Sequence, residues 1–193
     1  AVTWAFEFED QPVFAGFREL ATGGKANGVS YLVDKPVLNV FRMLGMLGGQ
    51  SLEVSSSGAL AVDQLLKDSV RVAPDVDAGA TRADHHVDVL LWNYHDDDVA
   101  ASAAQISLAV RSLPASGVKV QQFLMDSHHS NAYAAWQTMG SPQHPTAQQF
   151  VALQQAGRLE AVAVPPTLVR KDGEARLELT LERQGVTLIR LSW

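Results

Sequence analysis

The stretch A-R-L-E-L-T-L, Ala175 to Leu181, alternates apolar and polar residues without a break. A strand sends successive side chains to opposite faces, so the pattern places Ala175, Leu177, Leu179 and Leu181 on a dry face and Arg176, Glu178 and Thr180 on a wet one. Turn chemistry flanks it, Lys171-Asp172-Gly173-Glu174 before and Arg183-Gln184-Gly185 after. Working outward, residues 186–192, 159–164, 118–125, 105–112, 86–94 and 51–55 read as further strands, several of them alternating. About seven short strands with turn signals between them predict a mainly β chain built as an antiparallel β-sandwich.

Two short helical inserts interrupt that pattern. N-A-Y-A-A-W-Q-T-M at 131–139 is one, and P-T-A-Q-Q-F at 145–150 opens the other, with Thr146 and Gln149 at the spacing of a capping box. Neither an internal repeat nor a low-complexity segment is visible.

The first 47 residues read differently. Residues 2–8 are nearly all apolar, β-branched or aromatic, as in a strand covered on both faces in a parallel sheet. A Gly-rich stretch, 22–28, reads as a loop. Asp34 then stands where it can cap a helix whose first turn holds Pro36, and Val37, Val40, Phe41, Leu44 and Leu47 recur at helical spacing on one face until Gly48-Gly49. Strand, loop and helix make one β/α unit, with the boundary at 48–50. One strand with one helix buries too little surface to fold alone, so residues 1–47 must pack on the sandwich or on protein outside this sequence.

Composition narrows the function. At 193 residues, 47% hydrophobic and 19% charged, the chain suits one large domain or a domain with an appendage. A net charge of −6 disfavours nucleic acid as a partner. The apolar runs are too short to cross a bilayer. With no cysteine there is no disulfide framework, thiolate nucleophile or thiolate metal site, which fits a bacterial enzyme of the cytoplasm or periplasm. The opening residues lack a signal-peptide pattern, and the chain reads as cut from something longer.

Candidate chemistry begins at W-A-F-E-F-E-D, 4–10, where a buried strand ends in Glu7, Glu9 and Asp10. Glu7 and Glu9 share a strand face about 6.5 to 7 Å apart at Cα, and their ordinary role is that of solvated loop carboxylates or partners of Arg18. His85-His86 and His128-His129, with His95 and His144, invite a metal reading, but neighbours on a strand point to opposite faces and no HExxH pattern occurs, so no metal is expected. Asp96-Asp97-Asp98 lacks the downstream Gly and Glu of a calcium loop. Trp92, Tyr94, Tyr133 and Trp136 suit a sugar-stacking platform, with core packing the commoner role for such residues. There is no G-x-S-x-G elbow.

Taken in order, W-A-F-E-F-E-D at 4–10, F-A-G-F at 14–17, K-P-V-L-N-V-F-R-M-L at 35–44, V-L-L-W-N-Y-H-D-D at 89–97, G-S-P at 140–142 and P-T-A-Q-Q-F at 145–150 resemble glycoside hydrolase family 39. That family contains β-xylosidases and α-L-iduronidases. The resemblance implies that residues 1–47 are the C-terminal remnant, the last β/α unit, of a catalytic (β/α)8 barrel and that 48–193 form its accessory β-sandwich. It also answers why carboxylates come after a buried strand, since barrel sites sit at the C-terminal strand ends. Glu9 or Asp10 would match the acidic pair that binds sugar hydroxyls there. The family's commoner version has two more residues before that pair, so Glu7, Glu9 and Asp10 compete for the role.

The family's acid/base and nucleophile, both Glu on earlier barrel strands, are implied to lie outside this chain, and retaining hydrolysis needs such a pair about 5 Å apart. The implied whole is a retaining β-xylosidase acting on xylan or xylo-oligosaccharides without a cofactor. Its partners would be a xylose-containing saccharide and the remainder of the barrel. β-Xylosidase is preferred to iduronidase because the first twenty residues resemble the bacterial xylosidases and no N-x-S/T sequon occurs. A different class is the alternative, a non-catalytic sandwich that binds carbohydrate or another subunit. Apolar surface made to be covered by a barrel predicts, for the chain alone, either a homo-oligomer or a poorly ordered N-terminal segment of about 30 to 45 residues.

Overall fold

The computed structural model describes residues 12–14, 19–97, 99–114, 117–164, 167–169 and 172–193. The strand expected at 2–8 lies outside them. Two compact units are present, one drawn from Ala1–Arg42 and Ser127–Glu160, the other from Met43–Asp126 and Ala161–Trp193.

The second unit is the sandwich. It holds β3 (Gln50–Leu52), α2 (Val62–Asp68), β4 (Asp75–Ala83), β5 (His86–Tyr94), β6 (Ala104–Val110), β7 (Lys119–Met125), β8 (Ala161–Val162), β9 (Thr167–Val169), β10 (Ala175–Leu181) and β11 (Gly185–Ser192). A six-stranded sheet runs β3-β4-β5-β11-β7-β8 and a three-stranded sheet runs β6-β10-β9. Every pairing in them is antiparallel. In β10 the burial alternates residue by residue, with Ala175, Leu177, Leu179 and Leu181 inside. They share one core with Val87, Val89 and Leu91 of β5, Ile189 and Leu191 of β11, and Leu124 of β7. Each such Leu, Ile or Val contributes about 1.5–3 kcal/mol on burial. At the expected turn positions Gly173 has φ 78° and Gln184 φ 63°, the latter where the chain crosses from β10 in the small sheet to β11 in the large one.

The first unit pairs a hairpin with helices. Its hairpin is β1 (Ala21–Ala26) with β2 (Val29–Asp34), and it includes the start of α1 (Pro36–Met46) together with α3 (Ala132–Thr138) and α4 (Ala147–Ala156). Both inserts fold as the sequence predicts. Asn131 caps α3 through Ala134 N, and Thr146 and Gln149 complete the capping box of α4. Phe150 and Leu153 of α4 pack with Val33, Ala132 and Trp136, and the Phe150 ring stacks on Tyr31 at 4.8 Å.

Several local expectations need correction. The stretch 22–28 is no loop: it is most of β1 and its turn, where Asn27 (φ 52°) and Gly28 (φ 77°) both adopt the left-handed conformation of a two-residue hairpin turn. Asp34 does not cap α1. It ends β2 and pairs with Arg42 at 2.8 Å. The apolar stripe of α1 is not its buried side either, since Val37 is 38% and Leu44 39% exposed while Asn39 and Met43 are fully buried. Asn39 is buried because it is bonded: its amide donates to Ser130 O and Gly157 O, both at 2.8 Å, and its carbonyl oxygen accepts from Arg42. β4 and α2 were not legible in the sequence. Nearly every residue of β4 is half-buried, which erases alternation, and α2 buries none of its residues.

Candidate functional site

The carboxylates assigned to the sugar, Glu7, Glu9 and Asp10, lie outside the described residues. Shortly after them, Phe14 holds a left-handed backbone, φ 61°, costly for an aromatic residue. Its N–H donates to Thr22 Oγ1 at 3.0 Å, and its ring lies 5.2 Å from that of Trp136 and 5.7 Å from that of Tyr133. Trp136 is fixed in turn by donating from Nε1 to Pro142 O at 2.9 Å. Three aromatic rings therefore anchor the segment after Asp10 to α3. Trp136 meets the core-packing expectation; Tyr133, 41% exposed, does not.

Near the start of the hairpin, Lys35 Nζ sits 2.6 Å from Glu19 Oε2, with both side chains buried. The other oxygen, Glu19 Oε1, is buried without a hydrogen-bond partner. A shallow cleft of about 210 Å³ is lined by Ser127, His128, Ser130, Asn131, Thr138 and Glu160 among others, smaller than most ligand pockets.

In the sandwich, Asp88 is fully buried between apolar residues of β5 and lies opposite Arg190 of β11. Arg190 donates Nε to Oδ1 at 2.7 Å and Nη2 to Oδ2 at 2.8 Å, a bidentate pair. These bonds, and then the charge of Asp88, raise the Arg190 guanidinium above its ordinary range against the opposing effect of burial. Sequence reasoning missed both buried pairs. A signal for this one exists: each partner is the lone charge in an apolar run, V-D-V-L-L and L-I-R-L.

The histidines do not converge. Among the described residues no three His, Cys, Asp or Glu side chains are grouped to hold a metal. His95 is a structural imidazole, its Nδ1 accepting from Asp97 N at 3.0 Å and its Nε2 lying 3.1 Å from Arg71 O. Asp96 of the acidic run accepts from Val70 N at 3.1 Å, and Asp98 lies outside the described residues. Trp92 is half-buried and donates Nε1 to Asp75 Oδ2 at 2.8 Å. Tyr94 is 46% exposed, and burial, then the charge of Asp96 and a hydrogen bond to it, raise its phenol above the ordinary value.

Relatives and neighbours agree on what kind of chain this is. Mouse α-L-iduronidase is 31% identical over 166 residues, covering 79% of this chain and 24% of that protein. The chain thus spans about a quarter of the length of the curated relatives it matches. A solved bacterial orthologue of human α-L-iduronidase superposes with a TM-score of 0.65 at 18% identity, covering 91% of this chain and 31% of the other. A monomeric β-xylosidase from Caulobacter crescentus CB15 gives 0.55 at 20% identity, covering 83% and 31%. These neighbours show the fold, and the sequence model of Glycosyl hydrolases family 39 matches residues 2–175, from the acidic opening to the first residue of β10: the chain belongs to that family.

Proposed function

We propose that this chain is the C-terminal portion of a retaining glycosidase that releases a terminal sugar, with the catalytic acid/base and nucleophile in the portion preceding it. On this reading residues 1–47 close the catalytic barrel, 48–193 are the accessory sandwich, and Glu9, Asp10 or Glu7 binds sugar hydroxyls. The observation that carries it is the family match over 2–175, which joins W-A-F-E-F-E-D and the sandwich strands before β10 in one continuous assignment. The exposed stripe of α1, Val37 and Leu44, supports it too, because a helix rarely leaves such a face to water unless more protein covers it.

The substrate proposed is a β-xyloside of xylan or xylo-oligosaccharides, from the likeness of the first twenty residues to bacterial xylosidases. A second reading, an α-L-iduronide, is favoured by the curated relatives, mouse and dog α-L-iduronidase at 31% and 29% identity. Kinetics of the full-length protein on aryl β-xyloside and aryl α-L-iduronide separate the two. Turnover of one by the long protein, and of neither by the 193-residue chain, is expected. Activity on neither by the long protein would refute both readings.

A further inference from the structure

One corner of the six-stranded sheet gathers aromatic rings and carboxylates that neither the core nor the catalytic reading uses. Trp92 and Tyr94 are alternate residues of β5, and the register sets Asp77 opposite Trp92 and Asp75 opposite Tyr94. All four side chains leave the sheet on one side. It is the side away from the core that holds Val89 and Leu91, and along it burial falls from Asp88 and Leu90 to a half-buried Trp92 and an exposed Tyr94. The two aromatic residues stand about 6.5 to 7 Å apart along the strand.

Each aromatic residue has an acid beside it. Trp92 Nε1 donates to Asp75 Oδ2 at 2.8 Å, and Asp96 lies close enough to Tyr94 to raise its phenol above the ordinary value. Asp75 is engaged at both oxygens, its Oδ1 accepting from Leu60 N at 2.9 Å. Asp77 makes no hydrogen bond or ion pair with the described residues, although it sits beside the indole. Gly79, next on that face of β4, would point a Cβ into open space.

We propose that this corner is a binding platform for a neutral, β-linked oligosaccharide. The apolar faces of successive sugar rings lie on Trp92 and Tyr94, and a sugar hydroxyl donates to Asp77. Flat, pre-oriented rings match the C–H faces of pyranoses at little entropic cost, and an ionised carboxylate accepts only, which suits a hydroxyl-rich ligand. Asp75, Asp77 and Asp96, in a chain of net charge −6, repel an acidic saccharide. The choice of saccharide rests on the glycosidase reading; the platform would hold a polymer near the catalytic part and raise its effective concentration.

Calorimetric titration of the 193-residue chain with xylohexaose tests this, with a hexauronic oligosaccharide as the acidic control. Saturable heat with xylohexaose is expected, weakened about tenfold or lost in Trp92→Ala and Tyr94→Ala and about threefold weaker in Asp77→Asn. Thermal melts check that the variants are folded, and Asp77→Asn, a surface change of one atom, decides the matter where an aromatic deletion does not fold. No saturable heat at millimolar xylohexaose, heat unchanged in every folded variant, or preference for the acidic oligosaccharide would overturn the proposal. Turnover by the full-length protein is a separate measurement, so an active glycosidase that fails to bind here overturns the platform alone.

Discussion

At the scale of single residues, side chains that read as misplaced are the ones most tightly specified. A Cβ on Gly24 would stand 2.5 Å from Phe150 Cζ, and that ring is fully buried and stacked on Tyr31. Gly24→Ala should therefore lower stability by about 1–3 kcal/mol in urea unfolding, since the ring has nowhere to retreat. Arg190→Met should cost more, about 3–5 kcal/mol, by stranding the buried charge of Asp88, and Asp88→Leu added to it should recover most of the loss. A double-mutant cycle measures both. On the surface, hydrogen bonds from Arg176, then from Arg111, hold the Glu174 carboxyl below its ordinary range. A depressed folded-state value adds stability above the unfolded carboxyl's titration near 4.5 and loses it as the pH falls through the folded value. The melting-temperature gap between the native chain and Glu174→Gln should be present at neutral pH, close in acid and shrink in high salt. Asp88 and Arg190 were visible in the sequence as lone charges in apolar runs. The Glu19–Lys35 pair was not, because it depends on a hairpin bringing together residues on either side of it.

At the scale of elements, what was legible is what local rules decide. The alternation of 175–181 and the capping box of Thr146 and Gln149 need no tertiary partner to be read, and both stand in the structure. Thr146→Ala should lower stability by about 1 kcal/mol, measured by chemical unfolding, with Thr146→Ser restoring it. The elements that escaped are those whose packing overrides local preference. Gly23 and Gly24 argue for a loop, yet in β1 the missing side chain of Gly24 is what admits Phe150. The Asn27-Gly28 turn was the overlooked hairpin signal, masked by the glycines before it. In α1 the apolar stripe pointed to one buried side, while the bonds of Asn39 to two backbone carbonyls place another inside. β4 shows the limit of periodicity, for a strand half-buried on both faces has no period to detect.

At the scale of the whole molecule, the sandwich and its helical inserts were legible because several independent patterns agreed, and the family was readable from motifs in fixed order. The candidate site was legible only as residue types, for on the proposed reading its carboxylates take meaning from a barrel completed by other sequence, and the chain spans about a quarter of its relatives' length. A helix with Val37 and Leu44 in water should make the chain self-associate when alone, and Val37→Asp with Leu44→Asp should return it to a monomer in sedimentation velocity. A chain already monomeric at the same concentration would count against a covered face on α1. The central claim is that the reacting carboxylates of the proposed glycosidase lie outside these 193 residues. Its most direct test traps the full-length protein with 2-deoxy-2-fluoro analogues of an activated β-xyloside and α-L-iduronide, then maps the labelled peptide by mass spectrometry. A covalent glycosyl ester on a Glu that precedes residue 1 is the predicted result; an ester on Glu7, Glu9 or Asp10 would contradict the claim.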